Sequence, residues 1–346
     1  MHNPTSPRLA VLPILLALVA LLGACDIDRA SQTIAAREAA ERARMEDLQA
    51  RSHLLAAEQS LRAGDKEKAL AEFARAIAIN PTLTTAHMGI ADIYRLDGDY
   101  AKAEQSYGRA AAIEPQNFDA QYYHGLMLHL LDRVTEAIQA YLRALAIRPD
   151  DFDANLNLST AYYQLDENIQ ALTYGRRAVE LNPRDGPARF NLGAIYAAMN
   201  DHAAAVKEYQ QAAELMELNP PLLLNLAESL GRLQRYEEMR NTLEQLVRTA
   251  PSAEAYERLG FAQFRLGQYD PALYDSALES FQNALDLDPD YYPALNGVGV
   301  SYLNRWVWSD HKDSQARAKA LAALRRSLQI NRNQPQILEL LTRYGS

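Results

Sequence analysis

The chain has 346 residues, 48% of them hydrophobic and 23% charged, which is enough apolar material for a folded core. Its formal net charge is −9, with 35 Lys and Arg against 44 Asp and Glu. Without a basic tract, the chain offers neither the clustered cations that nucleic acid requires nor a polybasic surface for anionic lipid. One cysteine in the whole sequence, Cys25, excludes an internal disulfide framework and a cysteine metal cluster.

At the N-terminus a short polar stretch carries Arg8, followed by sixteen residues without a charge, Leu9 to Ala24. That length suits the apolar region of a signal peptide and falls short of the roughly 20 residues of a spanning helix. The run ends Leu22-Gly23-Ala24-Cys25, which resembles the bacterial lipobox: a Leu, two small residues and the lipidated cysteine. The resemblance implies removal of residues 1–24, lipid on Cys25, and a mature chain held at a membrane in the bacterial cell envelope. Asp26 comes next and resembles an inner-membrane retention signal, which favours a periplasm-facing inner-membrane site over the outer membrane.

Residues 25–50 are rich in alanine and contain neither proline nor glycine. Arg37–Glu41 and Glu38–Arg42 stand at i,i+4, and the apolar stripe is thin: Ile34, Met45 and Leu48. The pattern predicts a solvated helical stalk that joins the N-terminal segment to the rest of the chain.

From residue 51 the sequence repeats. Segments ending in proline recur at Pro81, Pro115, Pro149 and Pro183, a constant step of 34 residues, and again at Pro251 and Pro289. Small residues recur in step at Ala57, Ala91, Gly125, Ser159, Gly193, Ala227, Gly260 and Gly299. A second series holds Ala69, Ala103, Ala137, Ala171, Ala205, Met239, Ala277 and Ala320. Between them fall large residues: Tyr94, Tyr162, Tyr196 and Tyr302 on predicted first helices, Phe73, Tyr107, Tyr141, Tyr209 and Phe281 on second helices. Small beside large at fixed spacing lets helical hairpins stack closely.

This pattern resembles the tetratricopeptide repeat over about residues 51–334. The resemblance implies an all-α, right-handed superhelical solenoid of about eight helical hairpins. An N-terminal helical stalk would precede it, and residues 335–346 would form a capping helix. Four departures are expected. Repeat 4 has Gly175 where an aromatic belongs, leaving a hole that Tyr174 partly fills; repeat 5 runs three residues long, to Pro220. Repeat 7 gains five residues and repeat 8 about nine, bulging at the turns.

Chemistry is sparse. The seven histidines are scattered, and there is no nucleophile motif, phosphate loop or His-Glu-x-x-His. Asp286, Asp288 and Asp290 imitate a calcium loop but lack its glycine and final acid, since Tyr291 and Gly297 stand there. The expectation is a binding protein that is not an enzyme and needs no cofactor or metal.

The family resemblance turns first helices toward a concave groove. Asn157, Asn191 and Asn225 hold the same inward position in three successive repeats, with Asn296 one place off, and resemble the asparagine ladder of O-GlcNAc transferases. Each amide can donate and accept together, which suits the backbone of an extended peptide. Tyr122, Tyr123, Tyr163, Phe190, Phe261 and Phe264, with Arg95, Arg258 and Arg265, are candidate side-chain anchors. The chaperone carboxylate clamp is disfavoured, because its lysine position holds Leu54, Met88 and Tyr122. Trp306 and Trp308 lie in the repeat-8 insertion, as a candidate partner loop with one ring buried and one exposed. The expected function is a membrane-anchored scaffold that binds a protein segment; the alternative is a glycan- or peptidoglycan-associated envelope factor using groove aromatics.

Overall fold

A computed structural model describes the backbone of residues 11–345 and the side chains of residues 33–345. The lipobox-like stretch and Cys25 lie outside the residues with described side chains. Every element among the described residues is an α-helix. None of these helices is long and apolar enough to cross a membrane.

The chain divides into two compact units, Met1–Ile147 and Arg148–Ser346. The first contains α1 (Val11–Arg62), α2 (Lys66–Ile79), α3 (Thr84–Leu96), α4 (Tyr100–Ile113), α5 (Phe118–Leu130) and α6 (Val134–Ile147). Within it α1 packs on α2, α3 on α4 and α5 on α6, three antiparallel hairpins. The stalk continues unbroken into the first hairpin as part of α1, with Ile34, Met45 and Leu48 exposed. Arg42 Nε reaches back to the Glu38 backbone carbonyl (3.4 Å).

The second unit contains α7 (Phe152–Gln164), α8 (Asn168–Leu181), α9 (Gly186–Ala198), α10 (His202–Leu215), α11 (Pro220–Arg232) and α12 (Tyr236–Thr249). It continues with α13 (Ala253–Leu266), α14 (Ala272–Leu287), α15 (Tyr292–Trp308), α16 (Ser314–Ile330) and α17 (Pro335–Tyr344). These pair as five hairpins, and α17 packs on α16 as the expected cap. First helices also meet their counterparts in the next hairpin: α7 with α9, α9 with α11, α13 with α15.

Both series of recurring residues are buried at all sixteen positions. Tyr107, Tyr141, Tyr209 and Phe281 are buried beside them. Gly193 shows why small is required: an added Cβ would meet the Tyr209 ring at 2.7 Å. Turns between the two helices of a hairpin repeat as faithfully. Gly64, Gly98, Asp132, Asp166, Asn200 and Gln234 all adopt positive φ, between 58° and 78°, at the helix exit. Glycine, Asn and Asp tolerate that conformation, whereas Gln234 is strained there. In three of these hairpins the next helix starts on a side-chain N-cap, where Asp65, Asp99 and Asp201 each accept a backbone N–H three residues on; Glu167 and Arg235 in the same place make no such bond.

Three sequence expectations change. Helices α3, α5, α7, α9 and α11 start at residues 84, 118, 152, 186 and 220, so the 34-residue step persists through repeat 5 and no insertion occurs there. Pro220 opens α11 behind the Asn219 N-cap instead of closing repeat 5; proline suits both places because its missing N–H is not needed in a first turn. Repeat 4 has no hole at Gly175. Ser159, Ile195 and Leu192 occupy the space, and an added Cβ would meet Ser159 Oγ at 2.8 Å. Tyr174 instead stacks on Tyr162, with centroids 5.8 Å apart.

The insertions in repeats 7 and 8 lengthen helices as well as turns. Helices α15 and α16 run 17 residues each, where regular first and second helices such as α9 and α10 run 13 and 14. Trp306 and Trp308 therefore lie on the last turn of α15, not in a loop. Propagating an existing helix adds one hydrogen bond per residue, which favours extension over a bulge.

Candidate functional site

Polar groups on the first helices separate into those that hold repeats together and those left facing outward. In the first unit most are engaged internally. His53 Nδ1 lies 2.6 Å from Glu72 Oε2, and His124 Nε2 lies 3.0 Å from Glu104 Oε1. Tyr107 donates to Asp92 (2.6 Å) and accepts from Arg95 (3.1 Å), while the Arg95 guanidinium covers the Tyr123 ring. Tyr123 stacks on Tyr107 at 5.4 Å, and Tyr122 stacks on Phe118 at 5.8 Å and tilts against Tyr141. Both candidate anchors are half-buried parts of the stack.

In the second unit the asparagine row is used unevenly. Asn157 on α7 is half-buried. Asn191 on α9 donates to Ser159 Oγ (3.2 Å) and Thr160 Oγ1 (3.3 Å) of α7, joining neighbouring first helices. Asn225 on α11 lines a cleft of about 240 Å³ with Tyr163, His202, Tyr209, Glu228 and Arg232. Asn296 on α15 has both ends of its amide engaged: Oδ1 accepts from Ser327 Oγ (2.7 Å) and Nδ2 donates to Gln334 (2.7 Å). It fastens the cap, and it also borders a cleft with Phe261 and Ile337. Phe190 packs against Tyr209 at 5.8 Å.

The remaining candidates converge on α13. Arg258, half-buried, forms ion pairs with Glu228 of α11 (3.2 Å) and Glu254 (2.8 Å). Burial raises the Glu228 carboxyl, but the hydrogen bonds and charges of Arg258 and Arg232 together outweigh it and hold the group below its ordinary range. Phe261 is 40% exposed, with its edge toward Tyr236 at 6.1 Å. Arg265 lies over the faces of Tyr236 (4.5 Å) and Phe261 (5.9 Å).

Two clefts open along this helix. One, of about 500 Å³, is lined by Glu228, Arg232, Tyr236, Glu257, Arg258, Phe261 and Arg265. The other, of about 380 Å³, is mainly apolar and runs from α13 to the cap, past Phe264, Phe281, Val300, Ile337 and Leu340. Glu257, Phe261 and Arg265 line both. Burial pushes the Glu257 carboxyl up to about 7, opposed by the charge of Arg258 and reinforced by that of Glu254. Tyr291 is raised to about 12, first by burial and then by the charges of Glu257 and Glu254. Glu257 was not among the sequence candidates, since a glutamate on a helix ordinarily reads as a solvated face; its spacing of four residues before Phe261 was the available signal.

Of the tryptophans, Trp306 is half-buried and Trp308 exposed. Trp306 donates through Nε1 to the His311 carbonyl (3.0 Å) and meets Tyr344 edge-on, with Arg317 over its face. Trp308 is 57% exposed and meets Tyr274 edge-on at 4.6 Å beside a cleft of about 260 Å³. Among the described residues no group of three or more His, Cys, Asp or Glu is arranged to hold a metal ion.

Comparison with known proteins agrees with the repeats. Family models described as tetratricopeptide or TPR repeat match residues 86–121, 125–166, 186–215 and 224–274. No curated protein is significantly similar to the chain. Among solved structures, a tetratricopeptide repeat protein from Parabacteroides merdae is 18% identical with a TM-score of 0.50, covering 76% of this chain and 99% of its own. That likeness supports the fold. YrrB, described as a TPR protein with an unusual peptide-binding site, is 20% identical with a TM-score of 0.49, over 59% of this chain and 99% of its own. PilF of Pseudomonas aeruginosa is 21% identical with a TM-score of 0.49, over 60% and 94%.

Proposed function

We propose that this chain is a membrane-anchored tetratricopeptide scaffold in a bacterial cell-envelope complex, which holds an extended segment of a partner protein along its first helices. The observation that carries the reading is the surface of α13, where a half-exposed ring and charged groups line two adjoining clefts. Aromatic and arginine side chains beside concave apolar surface are the usual anchors of protein recognition. Repeats built from small-beside-large packing leave the outward face of each first helix free to vary, and binding is the chemistry such a face performs. The reading makes the chain a scaffold and not an enzyme.

The anchor rests on sequence: Leu22-Gly23-Ala24-Cys25 as lipobox, with Cys25 as the lipidated first residue of the mature chain. Multiple acyl chains give stable attachment where one gives marginal binding, and confinement raises the effective concentration of weak partners. Asp26 favours the inner membrane. Metabolic labelling with palmitate is expected to mark the parent chain and not Cys25→Ser; label that persists in the variant refutes the anchor. For the scaffold, photocrosslinking from α13 in the native envelope is expected to trap a protein partner, and absence of any trapped protein refutes it.

A second reading, association with glycan or peptidoglycan, is favoured by one feature. The exposed Trp308 ring borders a cleft that also offers Asp275, Asn304 and Arg305. Polysaccharide retention that disappears in Trp308→Ala would support it; equal retention would remove it.

A further inference from the structure

Glu257, Phe261 and Arg265 stand at i, i+4 and i+8 of α13, so they form one stripe along one helix face. Among the described residues neither the Glu257 carboxyl nor the Arg265 guanidinium forms a hydrogen bond or an ion pair, although both lie within α13. The contrast with Arg258 is sharp, since that neighbour is paired to two glutamates. The Arg265 guanidinium is held only over the rings of Tyr236 and Phe261, which fixes its position and leaves its N–H fork available. The stripe is therefore dipolar: an unpartnered carboxyl at one end, an exposed ring in the middle and an unpartnered guanidinium at the other. The same three residues form the ridge between the two clefts.

Eight residues of helix rise about 12 Å. Four residues of extended chain span about 13 Å, and side chains at i, i+2 and i+4 of an extended chain share one face. We infer that the α13 stripe reads an extended partner segment with a basic, an apolar and an acidic side chain at alternate positions, the base on Glu257, the apolar group on Phe261 and the acid on Arg265. Charge complementarity selects this occupant. A partner of uniform charge would leave one end of the stripe facing a like charge, and a wholly apolar one would desolvate both charges without pairing them. The apolar cleft toward Phe264, Phe281 and Leu340 accommodates the flanking residues of the segment. This inference rests on the scaffold reading and adds the chemistry of the bound segment.

The test uses the full chain in detergent and fluorescent nonapeptides centred on Lys-Ser-Leu-Ser-Asp or its reverse, Asp-Ser-Leu-Ser-Lys. Anisotropy titrations are carried to millimolar chain. The parent chain is expected to prefer one polarity, and to bind it about tenfold more tightly than an all-serine peptide. The double variant Glu257→Lys with Arg265→Glu is expected to prefer the opposite polarity. Glu257→Gln, which keeps the size and removes the charge, and Arg265→Gln, which removes the charge and the N–H fork, are each expected to lose about tenfold, and they serve if the swap does not fold. Equal binding of both polarities and the serine control, or a preference that survives the swap, overturns the inference. If photocrosslinking from α13 still traps a protein partner under that outcome, the scaffold reading stands and only the specificity fails; if the parent traps none, the scaffold reading itself fails.

Discussion

Hairpins α9–α10 and α13–α14 are built on one plan, yet their polar groups behave differently. In the first, Asn191 ties α9 to α7, and Arg189 donates to Glu208 (2.8 Å) and to the Pro183 carbonyl (2.8 Å). The aromatic Phe190 packs inward on Tyr209. In the second, Phe281 performs the work of Tyr209, but the half-buried Glu257 and Arg265 and the exposed Phe261 line clefts, and neither charged side chain has a hydrogen-bond partner. The regular hairpin uses its side chains to stack; the lengthened one leaves some of them unengaged, and the proposed function gives these to a partner. A repeat array can be expected to place function where a hairpin departs from the common pattern and its groups stay unmatched.

Substitutions can sharpen that contrast. The largest stability effect is expected in the regular hairpin: Tyr209→Ala removes a ring that is 1% exposed and should destabilise by about 3–5 kcal/mol in thermal or urea unfolding. Phe261→Ala should change stability by less than about 1 kcal/mol, while weakening peptide binding by roughly thirtyfold or more, the loss of a central anchor. Equal losses in both properties would erase the distinction between the two hairpins. Next is Gly175→Tyr, which restores the aromatic usual at that place. It should destabilise by about 1–3 kcal/mol because Ser159, Ile195 and Leu192 already fill the site.

A smaller effect concerns Glu257, whose carboxyl is raised to about 7 against an unfolded value of about 4.3. Between these values the folded chain holds a proton that the unfolded chain has released, so this group lowers stability as pH rises from about 4 to 7. Glu257→Gln should therefore gain on the parent across that window, reaching about 1–2 kcal/mol at pH 8 after allowance for partial exposure. Binding should run the other way. A basic partner group needs the ionised carboxylate, facing Arg258 and Glu254 on α13, Glu228 and Arg232 on α11, and Tyr291. Affinity should thus fall below pH 7 in the parent and stay level in Glu257→Gln. The smallest expected change is Gln234→Gly, which relieves a side chain from φ 59° and should stabilise by about 1 kcal/mol.

Much of the fold was legible because one period fixes many positions at once. From Ala57 to Ala227 and from Ala69 to Met239 the small residues fell where 34-residue counting placed them, and Gly260, Gly299, Ala277 and Ala320 kept the pattern across the repeats of other lengths. Proline was a poor ruler at Pro220, since it serves a helix start as well as a helix exit. The turn residues from Gly64 to Gln234 and the N-caps after them mark phase better, because positive φ and cap geometry tolerate little displacement. The site was legible only in part. The family resemblance put Tyr122 and Tyr123 on the inward face, with Asn296 one place off, but packing engages all three, and sequence does not say which group a neighbour will claim. Phe261, Arg258 and Arg265 were found by residue type; Glu257 became visible only through its burial and its lack of a polar partner.

The most direct test places a photoreactive amino acid at residue 261 on α13, and separately at residue 199 after α9, in otherwise native envelopes. Met199 is 39% exposed, close to the 40% of Phe261, so accessibility is matched between the lengthened and the regular hairpin. A scaffold that binds through α13 should give a discrete protein adduct from position 261, suppressed by the preferred charged peptide, and none from position 199. Equal adducts from both positions, or none from 261, would contradict it.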